Sequence, residues 1–146
     1  MRIHELGHIV LYVSNLTKSA DFYKNTLGFK EIHRDLHTAL FSSGRTHHEM
    51  LLIEVGGEPI KKGKPSPGLY HIGFKIGNTD EELKDAIKEL TANGVTISGS
   101  ADHHVTRSLY ILDPDNNELE LYIDVDESWK DDATKVLRPT KRLDLE

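Results

Sequence analysis

The sequence predicts an α+β domain made of two βαβββ modules, and three observations carry that reading. A short apolar strand with a histidine occurs twice, each copy is followed by a helix, and each helix by three further short strands. The repeated strands are Leu6-Gly-His-Ile-Val-Leu-Tyr-Val and Leu69-Tyr-His-Ile-Gly-Phe-Lys-Ile, which set His8 and His71 in equivalent places.

The first module is expected at about residues 4–56. Its helix is placed at Thr17 to Thr26, with Ala20 and Tyr23 on one face and Gly28 as the stop. Its remaining strands are placed near Phe29 to Arg34, Ala39 to Ser42 and His48 to Val55. Gly56 to Gly68, rich in Gly, Pro and Lys, reads as a linker or loop. The second module is expected at about 68–126. Its helix is the cleaner of the two, since Leu83, Ala86, Ile87 and Leu90 form one stripe over Asp80 to Ala92. Glu81 and Glu82 favour its N-terminus and Asn93-Gly94 ends it. Strands then follow near Val95 to Ser98, Arg107 to Leu112 and Glu118 to Asp124. The tail, 127–146, shows little periodicity and is expected to pack through Trp129 and Leu137.

Composition narrows the function. A chain of 146 residues suits one domain. A net charge of −6 without a basic stripe argues against nucleic acid and anionic membrane as partners. The N-terminus lacks the apolar core of a signal peptide and no run is long enough to span a bilayer, so the expected location is cytoplasmic. With no cysteine, a bound metal must be held by imidazole and carboxylate, and the nine histidines make that feasible.

A lone histidine in an apolar strand is more often a hydrogen-bonded structural residue than a ligand, but equivalence within a repeat raises the odds for His8 and His71. If the modules pair about a pseudo-twofold axis, the two imidazoles converge near it. Glu120 is the candidate third ligand. Period two alone puts Glu118 and Glu120 on a solvated face. If the sheet curls into a cup, that face lines a cavity, and two imidazoles with one carboxylate form a facial set with open metal positions.

The segments "GHIVLYVSNLTKSADFYKNTLGF", "YHIGFKI" and "DPDNNELELY" resemble the vicinal oxygen chelate superfamily, which includes glyoxalases, fosfomycin resistance proteins, bleomycin-binding proteins and type I extradiol dioxygenases. The likeness covers nearly the whole chain and implies an open, cup-shaped eight-stranded mixed sheet. The pattern "DPDGN-x-[I/L]-E" of that family carries a ligand at its final Glu, which falls on Glu120, while Glu118 is expected to stay solvated; Asn116 stands where Gly is usual. "RTHHEMLL" resembles the extradiol stretch whose acid/base histidine corresponds to His48. "DHHVTRSLYILDPDNNELELYID" resembles the segment of small catechol 2,3-dioxygenase-like proteins in which His103, Tyr110 and Glu120 would act in order, with His104 where Gly is frequent.

The resemblance thus implies Fe(II)-dependent extradiol cleavage of a catechol-type diol by O2, with Mn(II), Zn(II) or Ni(II) as alternative metals. His8, His71 and Glu120 would hold the metal, His48 would be the acid/base group, and His103 and Tyr110 would bind the diol oxygens. The expected partners are a small aromatic substrate, O2 and further copies of the chain as a homodimer or higher homo-oligomer. The rivals are a glyoxalase-like lyase or isomerase, for which Glu54 or Glu49 would be a fourth ligand, and a binding module of the bleomycin-resistance kind.

Overall fold

A computed structural model describes residues 1–61 and 63–145. The eight expected strands are all present, four in each of two sheets. The first module contains β1 (Ile9–Val13), α1 (Leu16–Asp21), a π-helical turn (Phe22–Thr26), β2 (Lys30–Arg34), β3 (Thr38–Ser42) and β4 (Met50–Glu54). The second contains β5 (His71–Gly77), α2 (Asp80–Ala92), β6 (Ile97–Asp102), β7 (Thr106–Leu112) and β8 (Glu118–Asp124), followed by two 3-10 turns, Ser128–Lys130 and Ala133–Leu137. Strand orders are β1-β4-β3-β2 and β5-β8-β7-β6, with the same parallel pairing of first and last strand in each. This is the βαβββ repeat in hydrogen bonds. The chain divides into two compact units, Met1–Lys62 with Pro114–Asn116, and Gly63–Asp113 with Asn117–Glu146.

In the first unit, Asn15 caps α1 by accepting from the Lys18 amide. The helix does not run on to Thr26 as one α-helix. Leu27 N–H reaches back to the Phe22 carbonyl, a π-helical bond, and Gly28 turns out at φ 73°. Tyr23, Phe41, Met50 and Leu52 are sealed in the core. Asp115, from the tip of the β7–β8 hairpin, belongs to this unit: its carboxylate accepts from the Ser14 amide and the Ser19 hydroxyl. Asn116 there takes φ 66°, which explains why it can replace the usual Gly.

In the second unit, α2 has the bounds expected from its apolar stripe. Leu83 and Leu90 are buried under it, each worth about 1.5–3 kcal/mol. Thr79 and Glu82 form a capping box. A Cβ added at Gly77 would lie 2.5–2.8 Å from the Glu82 carboxyl atoms, which are held by the Asn78 and Thr79 amides. Gly77→Ala therefore ejects the Glu82 carboxylate and undoes the cap. Chemical denaturation should show a loss of about 1 kcal/mol for Gly77→Ala and for Thr79→Ala alike, with little further loss in the double variant.

The tail departs from expectation in one respect. Leu137 is 79% exposed and anchors nothing, whereas Trp129 and Val136 line a cavity beside β8. The tail also pairs with the edge of β6 through a single antiparallel bridge between Asp102 and Lys141. No helix among the described residues is long and apolar enough to cross a membrane.

Candidate active site

The second module supplies the denser half of the candidate chemistry. Strand register decides which side chains share a face: Gly99, Tyr110, Glu120 and Gly73 are successive partners across β6, β7, β8 and β5. The glycines at both ends of this row leave the Tyr110 ring and the Glu120 carboxylate uncrowded by cross-strand side chains. The alternate residues Leu119, Leu121 and Ile123 point the other way and are buried. A packed back face thus holds a polar front face rigidly.

On that front face four groups form a connected chain. His71 Nε2 lies 3.1 Å from Glu120 Oε2. The Tyr110 hydroxyl donates to Glu120 Oε1 at 3.2 Å, and His103 Nε2 lies 3.0 Å from the Tyr110 oxygen. Burial, then the charge and hydrogen bond of Glu120, push the Tyr110 pKa up to about 12. The phenol is therefore a neutral donor throughout the physiological range.

The expected solvated role of Glu118 is not found. Its side chain is only 15% exposed, and the hydroxyl of Tyr70 bonds to its carboxylate, which raises the Tyr70 pKa. Glu118 sits on the same face as Glu120 because they are two positions apart on the strand, so the alternation that suggested water for both in fact marked a lined site. The same alternation brings Tyr122 and Asp124 to a cavity of about 220 Å³, lined also by Glu120, Val105, Thr106, Trp129 and Val136. Tyr122 and Asp124 escaped the sequence reading, although period two was the signal that could have found them.

The pair His103-His104 is resolved by the backbone. His104 takes φ 70° in the β6–β7 turn, a conformation that accounts for the Gly frequent there. Its amide donates to Asp102 Oδ1 and its Nε2 to the Pro139 carbonyl. His103 is the one that meets Tyr110.

In the first module, His8 precedes β1 by one residue and stacks against His48, with ring centroids 4.5 Å apart. His48 precedes β4 instead of opening it, and its ring centroid is also 4.5 Å from that of His47. Burial, then the neighbouring His47 and His8, lower the His48 pKa below the ordinary histidine value, so the ring favours its neutral form. The two carboxylates considered as a fourth ligand are committed to backbone amides. Glu54 Oε2 accepts from Leu16 N–H at 2.6 Å, and Glu49 accepts from Ser43 and Thr46.

The donor set of the second module fits a divalent metal. Two ligands each about 2.1 Å from one ion and at right angles to it are about 3.0 Å apart, close to the 3.1 Å between His71 Nε2 and Glu120 Oε2. Nδ1 of His71 is buried without a hydrogen-bond partner, and Glu118 Oε1 stands 3.9 Å from it, on the side where a ligating imidazole keeps its carboxylate support. Among the described residues, no three His, Asp or Glu side chains are gathered as a complete ligand group. The second module by itself brings together the imidazole–carboxylate pair of His71 and Glu120.

Comparison with known proteins sets this geometry in a family. The model of the Glyoxalase/Bleomycin resistance protein/Dioxygenase superfamily matches residues 5–121. The chain is 30% identical over 99% of its length to a catechol-2,3-dioxygenase of Bacillus subtilis, of which it spans about half (52%). It is also 30% identical, over 84% of its own length and 83% of the relative's, to the metallothiol transferase FosB of Staphylococcus epidermidis. Among solved structures, a glyoxalase/dioxygenase from Nostoc punctiforme superposes with a TM-score of 0.68 at 22% identity, covering 84% of this chain and 92% of the other, and shares the fold.

Proposed function

Because the chain belongs to the glyoxalase/bleomycin resistance protein/dioxygenase superfamily, whose members bind divalent metals and act on small molecules, we propose that it cleaves a catechol-type diol with O2. The observation that carries the reading is the chain His71, Glu120, Tyr110, His103 on one face of the second module. An imidazole and a carboxylate suited to a metal stand there next to a neutral phenol and a second imidazole, which supports the reading of a diol site.

In this reading His8, His71 and Glu120 hold Fe(II), with His8 assigned by its equivalence to His71 in the repeat. Bound Fe(II) supplies the Lewis acidity and one-electron chemistry that couple an aromatic diol to O2. Tyr110 donates its hydroxyl proton in a hydrogen bond and does not lose it, as its raised pKa requires. His103 donates from Nε2 to the Tyr110 oxygen and so orients the phenol that faces the diol. His48, beside His8 and neutral, takes a proton from the diol on Nδ1 or Nε2 and returns it as the product forms. Both atoms of O2 end in the ring-opened product, so no further reductant is consumed. The wall formed by Val105, Trp129 and Val136 suits an apolar ring.

A second reading is a metal-dependent thiol transferase or glyoxalase-type lyase, favoured by the match to the Staphylococcus epidermidis transferase. Two observations weigh for the diol reading. Glu49 and Glu54 are engaged as backbone caps, and Lys75, on the strand of His71, is neutralised by Asp124 at 2.7 Å.

Protein reconstituted anaerobically with Fe(II) is expected to consume one O2 per catechol and to yield a yellow ring-opened product, followed with an oxygen electrode and by absorbance. No uptake across a panel of catechols, with turnover of a thiol adduct instead, would replace this reading by the second.

A further inference from the structure

The C-terminal tail touches the candidate site in two ways, and nothing in the family motifs points to either. Three successive tail residues meet three successive residues at the end of β6. Lys141 exchanges amide hydrogen bonds with Asp102 at 3.0 and 2.8 Å. Thr140 Oγ1 lies 3.1 Å from His103 Nδ1. The Pro139 carbonyl accepts from His104 Nε2 at 2.8 Å. Upstream in the same tail, Trp129 and Val136 wall the cavity that Glu120 lines.

The directions of the hydrogen bonds follow from one fact. Tyr110 has a single proton and gives it to the Glu120 carboxylate. Its oxygen can then only accept from His103, so Nε2 of His103 carries the ring proton. In that tautomer Nδ1 is a lone pair, and the Thr140 hydroxyl is the donor that meets it. The relay therefore runs from Thr140 to His103 to Tyr110 to Glu120, with every donor and acceptor matched.

We propose that Thr140 is a positioning residue: its hydroxyl, delivered by the tail, fixes the tautomer and ring orientation of His103, so that the tail completes the diol-binding end of the site. The proposal rests on the diol-cleaving reading for its kinetic consequence, but its structural part stands apart from that reading. Without the hydroxyl, the His103 ring keeps only its bond to Tyr110 and can turn about that bond. The groups that must bind the diol oxygens then lose alignment.

The test uses two variants of the full chain. Thr140→Val keeps the volume and removes the hydroxyl; Thr140→Ser keeps the hydroxyl. In metal-free protein, ¹⁵N NMR of the histidine rings should show His103 with the proton on Nε2 and an Nδ1 resonance displaced by an accepted hydrogen bond. Thr140→Val should lose that displacement and Thr140→Ser retain it. In the iron-loaded protein kcat/KM for the diol should fall about tenfold in Thr140→Val, with metal content unchanged, and recover in Thr140→Ser. An unaltered His103 resonance in Thr140→Val, or full turnover by that variant, would overturn the proposal. Wild-type protein that shows the ring signature yet cleaves no diol would overturn the functional reading and confine Thr140 to orienting a ring with another task.

Discussion

Glu120→Ala is expected to abolish metal binding and diol cleavage together while leaving a folded protein. The fold should survive because the back face of β8 is held by Leu119, Leu121 and Ile123, none of which the substitution touches. His71 and Tyr110 lose a partner, but both are partly exposed and water can replace the carboxylate, so the stability cost is about 1 kcal/mol. The loss at the metal is of another order. Removing the anionic member of the proposed set leaves only two imidazoles, which do not retain a hard divalent ion in competition with water. Metal content after gel filtration and circular dichroism measure the two halves of the expectation. Glu118→Ala is the control, since Glu118 shares the face but bonds to Tyr70 and stands 3.9 Å from the unpartnered nitrogen of His71. It should retain metal with weakened affinity. Wild-type metal content in Glu120→Ala would remove Glu120 from the ligand set.

The second large effect is expected at His48. His48→Phe should keep the metal and lower kcat by about 10²–10⁴-fold, the range of a lost general acid or base. His47→Phe, one residue away and exposed, should remain near wild type. The pH profile sharpens the test. Burial and two neighbouring histidines disfavour the charged ring, which puts the His48 pKa below its ordinary value. A step that needs the neutral ring is therefore fully supported at neutral pH and is lost as pH falls through that lowered pKa. The acidic limb of kcat/KM should lie below about 6.5 and be absent from His48→Phe. A limb that persists in the variant would assign it to another group.

Much of this architecture is legible because it is periodic. The helix Asp80–Ala92 and the strand Glu118–Asp124 appear with the bounds that their apolar stripes dictate. The first helix is less legible, since the switch from α to π hydrogen bonding at Phe22 has no marker in the apolar pattern. The fourth strand starts at Met50 instead of His48, because the Glu49 side chain turns back to cap the Ser43 and Thr46 amides. Glu118 misleads for a related reason. Alternation tells which residues share a face, but a face becomes solvent or site only through what is packed over it, here Tyr70 and the tail.

By itself the sequence determined the repeat, the equivalence of His8 and His71, the hairpin that carries Glu120, and the choice of residue types able to bind a metal. All of these depend on neighbours along the chain, where spacing and backbone preference act directly. Only the tertiary structure decided that Tyr110 is the ladder partner of Glu120, that His71 reaches the same carboxylate, that His103 and not His104 continues the chain, and that Thr140 stands behind it. Those contacts join segments far apart in sequence, and their register is set by core packing and strand pairing summed over the whole module, which no local pattern records.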